Sequence, residues 1–403
     1  MKLRAYFLSP SDREELREEM EEIGCDQEGL EIMMPRGLSH LIRMEGVPLR
    51  AALILKQELL ARGGEVVLPQ EASRLTIEQC NLLIFSSQEI LEDLLEALPQ
   101  QPYGLKEIGE KLSSLIRGKE QPVKEIKTNR GLLSLRERTL IMGILNLTPD
   151  SFSDGGLYLE REAAVERALE MEEEGADILD LGAESSRPGS NPLTLEEELE
   201  RLLPVLEGVV EATSLPISVD TYKSQVAREA LECGASMIND ISGLHFDPRL
   251  AEVVAEYDVP VVIMHIRGRP QNMQDNPRYQ HLFSEIIGYL EEGASRAQRA
   301  GLDRSQIIID PGIGFGKTLD HNLRIIRGLE SFKSLGYPLL LGTSRKSFIG
   351  QVLELPVDER LEGTAASLVM GIDRGAEIVR VHDVKEMARV VKMTDALLGR
   401  CEI

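Results

Sequence analysis

TLIMGILNL (139–147), EREAAVERALEMEEEG (160–175) and ADILDLGAE (176–184) follow one another in this chain. The first and third are short apolar runs of strand length. The second repeats its apolar positions at helical spacing and stops at Gly175. Apolar run, polar tip and amphipathic segment make one strand–helix unit. The same rhythm continues through PISVDT (216–221), SMINDIS (236–242), VPVVIMH (259–265), IIIDPG (307–312), PLLLGTS (338–344) and AEIVRVHD (376–383). Helical patterns such as LTLEEELERLLPVLEGVV (193–210), YKSQVAREALECG (222–234) and DPRLAEVVAEY (247–257) lie between them, with Gly175, Gly234 and Gly301 where helices should end. Eight such units between Thr139 and Ile403 predict an α/β fold, a (β/α)8 TIM barrel, which typically takes ~250 residues. A doubly wound open sheet is the alternative, and eight clean repeats favour closure.

Outward from the barrel, residues 1–118 read as a smaller N-terminal α/β domain. LRAYFLS (3–9), EVVLP (65–69) and LLIFSS (82–87) predict strands; VPLRAALILKQELLARGG (47–64) and EILEDLLEAL (89–98) predict helices. No catalytic constellation appears there, and the domain reads as a packing or oligomerisation module. Residues 119–138 are polar and weakly periodic, a linker with a hairpin that leads into the barrel domain, 139–403.

Composition bounds the function. Of 403 residues 42% are hydrophobic and 28% charged, aromatics are 4% and Trp is absent, so the core rests on aliphatic residues and Met. A formal net charge of −23 argues against nucleic acid and anionic membranes as partners. Cys25, Cys80, Cys233 and Cys401 are far apart, without a disulfide or zinc pattern. The N-terminus reads as a strand and a charged helix rather than a signal peptide, and no apolar run approaches the ~18 residues of a membrane span. A cytoplasmic protein is expected.

In a TIM barrel the chemistry sits at the C-terminal ends of the strands. Here those ends carry Asn146, Glu184-Ser185-Ser186-Arg187, Asp220, Asn239-Asp240, Met264-His265, Asp310, Ser344-Arg345-Lys346 and Arg380-Val381-His382-Asp383. Singly, Asn239-Asp240 reads as a helix cap and Asp310-Pro311-Gly312 as a turn. Eight polar ends together point to a site. Asp220, Asn239, Asp310 and Lys346 suit a flat heterocycle with a guanidine-like edge, because a carboxylate accepts two parallel N–H bonds from it. Arg380, His382, Asn146 and Ser186 suit a phosphate, with Asn146 an oxygen ligand for Mg²⁺. PGIGFGKT (311–318) ends like a P-loop, but Pro311 stands where its first Gly is required. Its glycines instead predict a tight loop that lifts Phe315 and Lys317 over the mouth, Phe315 forming an aromatic wall for a second, planar substrate.

Residues 139–400 closely resemble the dihydropteroate synthase family. GILNLTPDSFSDGG and ILDLGAESSRPG resemble its first two signatures; SVDTYK, INDISG, MHIRGRPQNMQ, DPGIGFGKT, TSRKSFIG, EGTAAS and RVHDV follow in family order. Residues 1–118 resemble an extension present in some bacterial and archaeal members. The resemblance implies a transferase that joins 6-hydroxymethyl-7,8-dihydropterin diphosphate to para-aminobenzoate, releasing pyrophosphate and 7,8-dihydropteroate. It implies that Asp220, Asn239, Asp310 and Lys346 hold the pterin, and that Asn146 binds Mg²⁺ with the diphosphate. Arg380, His382 and Ser186 would contact that group; Pro188, Phe315, Lys346 and Ser347 would border the aminobenzoate. Arg187 and Met264 join the substrate-facing residues, and Asp220, Lys346, Arg380 and His382 the catalytic ones. Thr148–Asp154 and Ser185–Ser190 match two mobile loops, with Phe152 covering the second substrate. A dissociative substitution needs no protein nucleophile, so the lack of a Ser-His-Asp or Cys-His arrangement is expected. Ser186 stands where the family usually has Thr, and Ala183 where Gly is common. The partners implied are the two small substrates and a second copy in a homodimer. The rival readings are a pterin-binding methyltransferase domain, which should lack SSRPG and RVHD, and a non-catalytic pterin-binding protein, which needs no diphosphate site.

Overall fold

In a computed structural model, residues 39–147 and 157–400 are described, with positions 17, 20, 21, 27 and 30. The chain divides into two compact units, Met1–Ile116 and Arg117–Ile403.

The first unit contains β1 (Ser39–Pro48), α1 (Leu49–Ala61), β2 (Glu65–Val67), α2 (Gln70–Arg74), β3 (Gln79–Ser87), α3 (Gln88–Ala97) and the start of α4 (Leu105–Glu120). Its strands form an antiparallel sheet in the order β1-β3-β2. Period-two burial along β3 sends Cys80, Leu82 and Ile84 into one core with Leu55 and Leu59 of α1 and Leu91 and Leu94 of α3. β2 and β3 match the expected EVVLP and LLIFSS. LRAYFLS lies outside the described residues. β1 is unanticipated: it passes from Pro48 straight into α1 at Leu49, and its last residues, Gly46-Val47-Pro48, read as the lead-in to the helix rather than as strand.

In the second unit a hairpin, β4 (Glu125–Thr128) and β5 (Gly131–Ser134), precedes the barrel strands β6 (Leu140–Asn146), β7 (Ile178–Gly182), β8 (Ile217–Asp220), β9 (Met237–Asp240), β10 (Val261–Met264), β11 (Ile307–Asp310), β12 (Leu340–Leu341) and β13 (Ile378–Val381). All eight runs read as strands from the sequence are barrel strands. They pair in parallel in the order β11-β10-β9-β8-β7-β6-β13-β12. A parallel bridge from Ile309 to Leu339, beside β12, closes the ring.

Around the barrel lie α5 (Leu157–Glu174), α6 (Leu195–Ala212), α7 (Ser224–Glu232), α8 (Leu250–Glu256), α9 (Leu282–Ala300), α10 (Leu319–Arg327), α11 (Ser347–Leu353), α12 (Leu361–Asp373) and α13 (Val384–Leu397). Thr194 starts α6 with a capping box: its hydroxyl accepts from Glu197 N and its own amide donates to the Glu197 carboxylate. Gly175 and Gly301 follow α5 and α9 with φ of 102° and 114°, a region L side chains avoid.

Strand alternation sorts the core into two layers. Leu179, Leu181, Val219, Ile263 and Val379 face the helices. Met142, Ile178, Met237, Val262, Ile308 and Ile378 face inward and pack on fully buried Ile126 of β4, which plugs the N-terminal end. Beside it Arg130 donates to the carbonyls of Val210, Thr213 and Leu215 at the end of α6, at 2.8, 2.6 and 3.1 Å. The hairpin expected at the entry to the barrel is there, and it also forms the barrel's floor.

Candidate active site

One period beyond the plug, the inward positions change character. Ile178 is followed at i+2 by Asp180, Met237 by Asn239, Ile308 by Asp310 and Ile378 by Arg380. Arg380 Nε donates to Asp180 Oδ2 at 2.6 Å, and its Nη2 lies 3.1 Å from Asp220 Oδ2. Asn239 Nδ2 donates to the same Asp180 oxygen at 3.1 Å. Asp180 is fully buried. The structure therefore brings Asp220, Asn239 and Arg380 around a carboxylate that the sequence reading missed. Its signal was present: a charged residue inside the apolar run ILDLG needs a buried partner.

Burial pushes the Asp220 carboxyl up to about 8, against the pull of Arg380. Burial also works against the charge on Arg380, but Asp180 and Asp220 hold it protonated. Asp310 is raised by burial, with Lys346 opposing; its Oδ1 accepts from Gly312 N at 2.7 Å. Lys346 is drawn down to about 8 by burial, with Asp310 opposing. Its ammonium donates to the Ile313 carbonyl and stands 4.8 Å from the centre of the Phe315 ring. Met264 is buried at the end of β10, while Ser347 is exposed at the start of α11.

His382 pairs through Nδ1 with Ser344 Oγ at 3.0 Å. Burial, aided by Arg380 and Arg345, draws its imidazole down to about 4, so it is neutral at pH 7. It offers a neutral hydrogen-bonding group rather than a positive charge. Asn239 and Asp240 also part company. Asp240 accepts from the amides of Ser242 and Leu244 at 2.7 and 2.6 Å and organises the turn after β9, a structural role but not the helix cap the sequence suggested, since the next helix begins only at Leu250.

The loop after β11 needs a correction. Phe315 is half-buried against Lys346, but Lys317 is buried and turned away from the mouth. Its Nζ lies 2.8 Å from His265 Nδ1 and 3.0 Å from the Phe315 carbonyl. Burial lowers its affinity for a proton far below that of a free lysine. The loop lies so close to the end of β10 that a Cβ at Gly312 would sit 2.0 Å from the His265 carbonyl. Only glycine fits there, and Lys317 fastens the two loops. Thr318, the last residue of the P-loop-like stretch, is the N-cap of α10, accepting from His321 N at 3.3 Å.

Asn146 ends β6 and is half-buried. Ser186 is half-buried and Arg187 and Pro188 exposed on the loop after β7. Phe152, with Thr148–Asp154, lies outside the described residues. Among the described residues no cluster of three or more His, Cys, Asp or Glu could hold a metal ion.

Residues 142–382 match the family described as pterin binding enzyme. The chain belongs to that family. It is 50% identical over 275 residues to a dihydropteroate synthase of Bacillus subtilis, covering 68% of this chain and 94% of that protein. It is 39% identical over 386 residues to a probable bifunctional folylpolyglutamate synthase/dihydropteroate synthase of Halobacterium salinarum, covering 95% of this chain and 46% of that one. An alignment of that reach includes the first unit. Among solved structures, a Xanthomonas albilineans dihydropteroate synthase with 4-aminobenzoic acid superposes with a TM-score of 0.65 at 41% identity, covering 69% of this chain and 99% of that one. Within the pterin binding enzymes the barrel is of the dihydropteroate synthase type, a transferase. Among the described residues no helix is long and apolar enough to cross a membrane.

Proposed function

We propose that this chain joins 6-hydroxymethyl-7,8-dihydropterin diphosphate to para-aminobenzoate, breaking the bond between the exocyclic CH₂ and the diphosphate and forming the new bond to the aryl amine. The observation that carries the reading is the buried set Asp180–Arg380–Asp220 with Asn239, Asp310 and Lys346 beside it. A flat, guanidine-like edge satisfies such carboxylates, and Lys346 supplies a donor. A buried acid near pKa 8 becomes a carboxylate once ligand N–H groups replace its lost solvent. Asp220 can then face the positive charge that develops on the CH₂ carbon. Phe315, Lys346 and Pro188 border the place of the aromatic amine, and Ser347 and Arg187 stand at the rim. Met264 underlies the heterocycle.

The donor set fits a metal that arrives with its substrate. Asn146 is a single neutral oxygen ligand at the end of β6, and Mg²⁺ typically keeps waters and takes substrate phosphates. When bound, the ion supplies charge neutralisation at the leaving diphosphate. The chain's own contribution to that group is Ser186, Arg380 and neutral His382.

The methyltransferase and non-catalytic readings are disfavoured by the presence of both SSRPG and RVHD. The helices α11, α12 and α13 expose Val352, Met370, Met393 and Leu397, which supports a homodimer through the last helices. The role of the first unit stays that of a packing or oligomerisation module, and the protein is read as cytoplasmic. The decisive experiment is release of pyrophosphate from the pterin diphosphate on addition of para-aminobenzoate and Mg²⁺. No release would reject the assignment.

A further inference from the structure

The loop that follows β7, residues 183–194, carries Ser186, Arg187 and Pro188. Its two ends meet on a partly buried ion cluster that the reaction itself does not use. Glu184 opens the loop and Leu193 closes it. The Leu193 amide donates to Glu184 Oε2 at 3.0 Å, and Lys223 Nζ donates to the Leu193 carbonyl at 2.7 Å. Both backbone groups of one loop residue are therefore gripped, one by a carboxylate and the other by an ammonium.

Lys223 is satisfied completely by this arrangement. Besides Leu193 it reaches Glu184 Oε2 at 2.7 Å and Glu198 Oε2 at 2.5 Å, one acceptor for each of its three N–H bonds. Both carboxylates are held in turn. Tyr222 OH donates to Glu184 Oε1 at 2.8 Å, and Thr221 Oγ1 to Glu198 Oε1 at 2.7 Å. Glu198 is 1% exposed, so its charge has no solvent to fall back on. Farther out the loop makes only sparse polar contacts, among them Gly189 N to the Pro270 carbonyl at 3.0 Å and Ser190 Oγ to the Ser185 carbonyl at 2.5 Å.

The source of the grip matters. Thr221, Tyr222 and Lys223 are the three residues after Asp220, and Thr221 N donates to the Asn239 carbonyl at 3.1 Å. The short segment that leaves the pterin end of the mouth is the segment that holds the neighbouring loop. We propose that Lys223 is a positioning residue for the second substrate: through Glu184 and Leu193 it fixes the loop bearing Ser186, Arg187 and Pro188 relative to Asp220. This role rests on the para-aminobenzoate reading of that loop. A misplaced loop weakens the aromatic acid's site while leaving the heterocycle's polar partners where they are.

The test uses the full chain and steady-state kinetics with each substrate varied. In Lys223→Met the KM for para-aminobenzoate should rise on the order of tenfold, and the KM for the pterin diphosphate, which the loop meets only through Ser186, should rise by much less. A milder variant, Tyr222→Phe, removes only the phenol's bond to Glu184 and should move the same constant in the same direction by less. If Lys223→Met does not fold, Glu184→Gln decides, because it keeps the side chain's size and removes its charge. An unchanged KM for para-aminobenzoate, or two KM values that rise by the same factor, would overturn the clamp. Wild-type turnover separates the levels: an inactive wild type rejects the substrate reading and the clamp with it, whereas an active wild type with an unmoved KM in the variants rejects the clamp alone.

Discussion

At the closed end of the barrel Ile178, Met237, Ile308 and Ile378 pack on Ile126; at the open end the next inward residues of the same strands are Asp180, Asn239, Asp310 and Arg380. The two layers share strands and register; Asp180, Asn239 and Asp310 are buried like the floor, Arg380 only half so, and what divides the layers is chemistry. Apolar contact is non-directional, so the floor tolerates change in proportion to the volume lost. The mouth depends on pairing, and a single lost partner leaves a buried charge alone. Stability and activity should therefore separate by layer, and each of the following changes probes that separation.

Asp180→Ala should have the largest effect. It leaves Arg380 with one carboxylate and removes the Asn239 contact, costing about 3–5 kcal/mol of stability, and turnover should fall at least on the order of 10²-fold. Chemical denaturation and a pyrophosphate-release assay measure the two. A fully active, equally stable variant would show that the mouth is no more demanding than the floor. Ile126→Ala should cost about 2–5 kcal/mol, yet the folded fraction should keep both KM values. A changed KM would break the division between layers.

Lys317→Met sharpens the comparison, because Lys317 is a buried polar residue that faces the site only through its neighbour's backbone. Loss of its bonds to His265 and the Phe315 carbonyl should cost about 1–3 kcal/mol and raise the KM for para-aminobenzoate through a displaced Phe315. Wild-type kinetics in this variant would restrict Lys317 to holding the fold.

The smallest effect concerns protons. An acid whose folded pKa is raised takes up a proton on folding, so its stabilisation is present at low pH. For Asp220 it fades as pH rises from about 4, the unfolded value, to about 8 in the fold. The stability difference between wild type and Asp220→Asn should drift against the wild type over that range. Heterocycle binding near pH 7 should also release up to about one proton, read by calorimetry in buffers of different ionisation enthalpy. Pterin binding with no proton release in wild type would place Asp220 outside the contact.

Much of this layering is legible in the sequence, and the gaps have physical causes. The eight strands read cleanly because a strand buried on both faces is an apolar run, and its polar tip marks where burial ends. Asp220, Asn239, Asp310 and Arg380 were visible at those tips. Asp180 was not, because it sits two residues before the tip of β7, where the pattern still reads as core. Lys317 was misread because spacing cannot distinguish a lysine raised over a pocket from one folded back beneath it. The direction is set by His265, 52 positions away in the chain. The hairpin itself was anticipated, but its role as the floor was not, because strands of four residues have too few alternations to show that Ile126 is buried.

The two-residue step from floor to mouth also constrains how such a chain can change over generations. One residue gained or lost inside β7 would turn Asp180 toward the helices and Leu179 or Leu181 into the lumen, exchanging the chemistry of both layers at once. Length variation among descendants should therefore collect in the connections between strands and helices, and the strands themselves should keep their residue count. New specificities would be written mainly into the loops, while the staves of the barrel pass unchanged from ancestor to descendant.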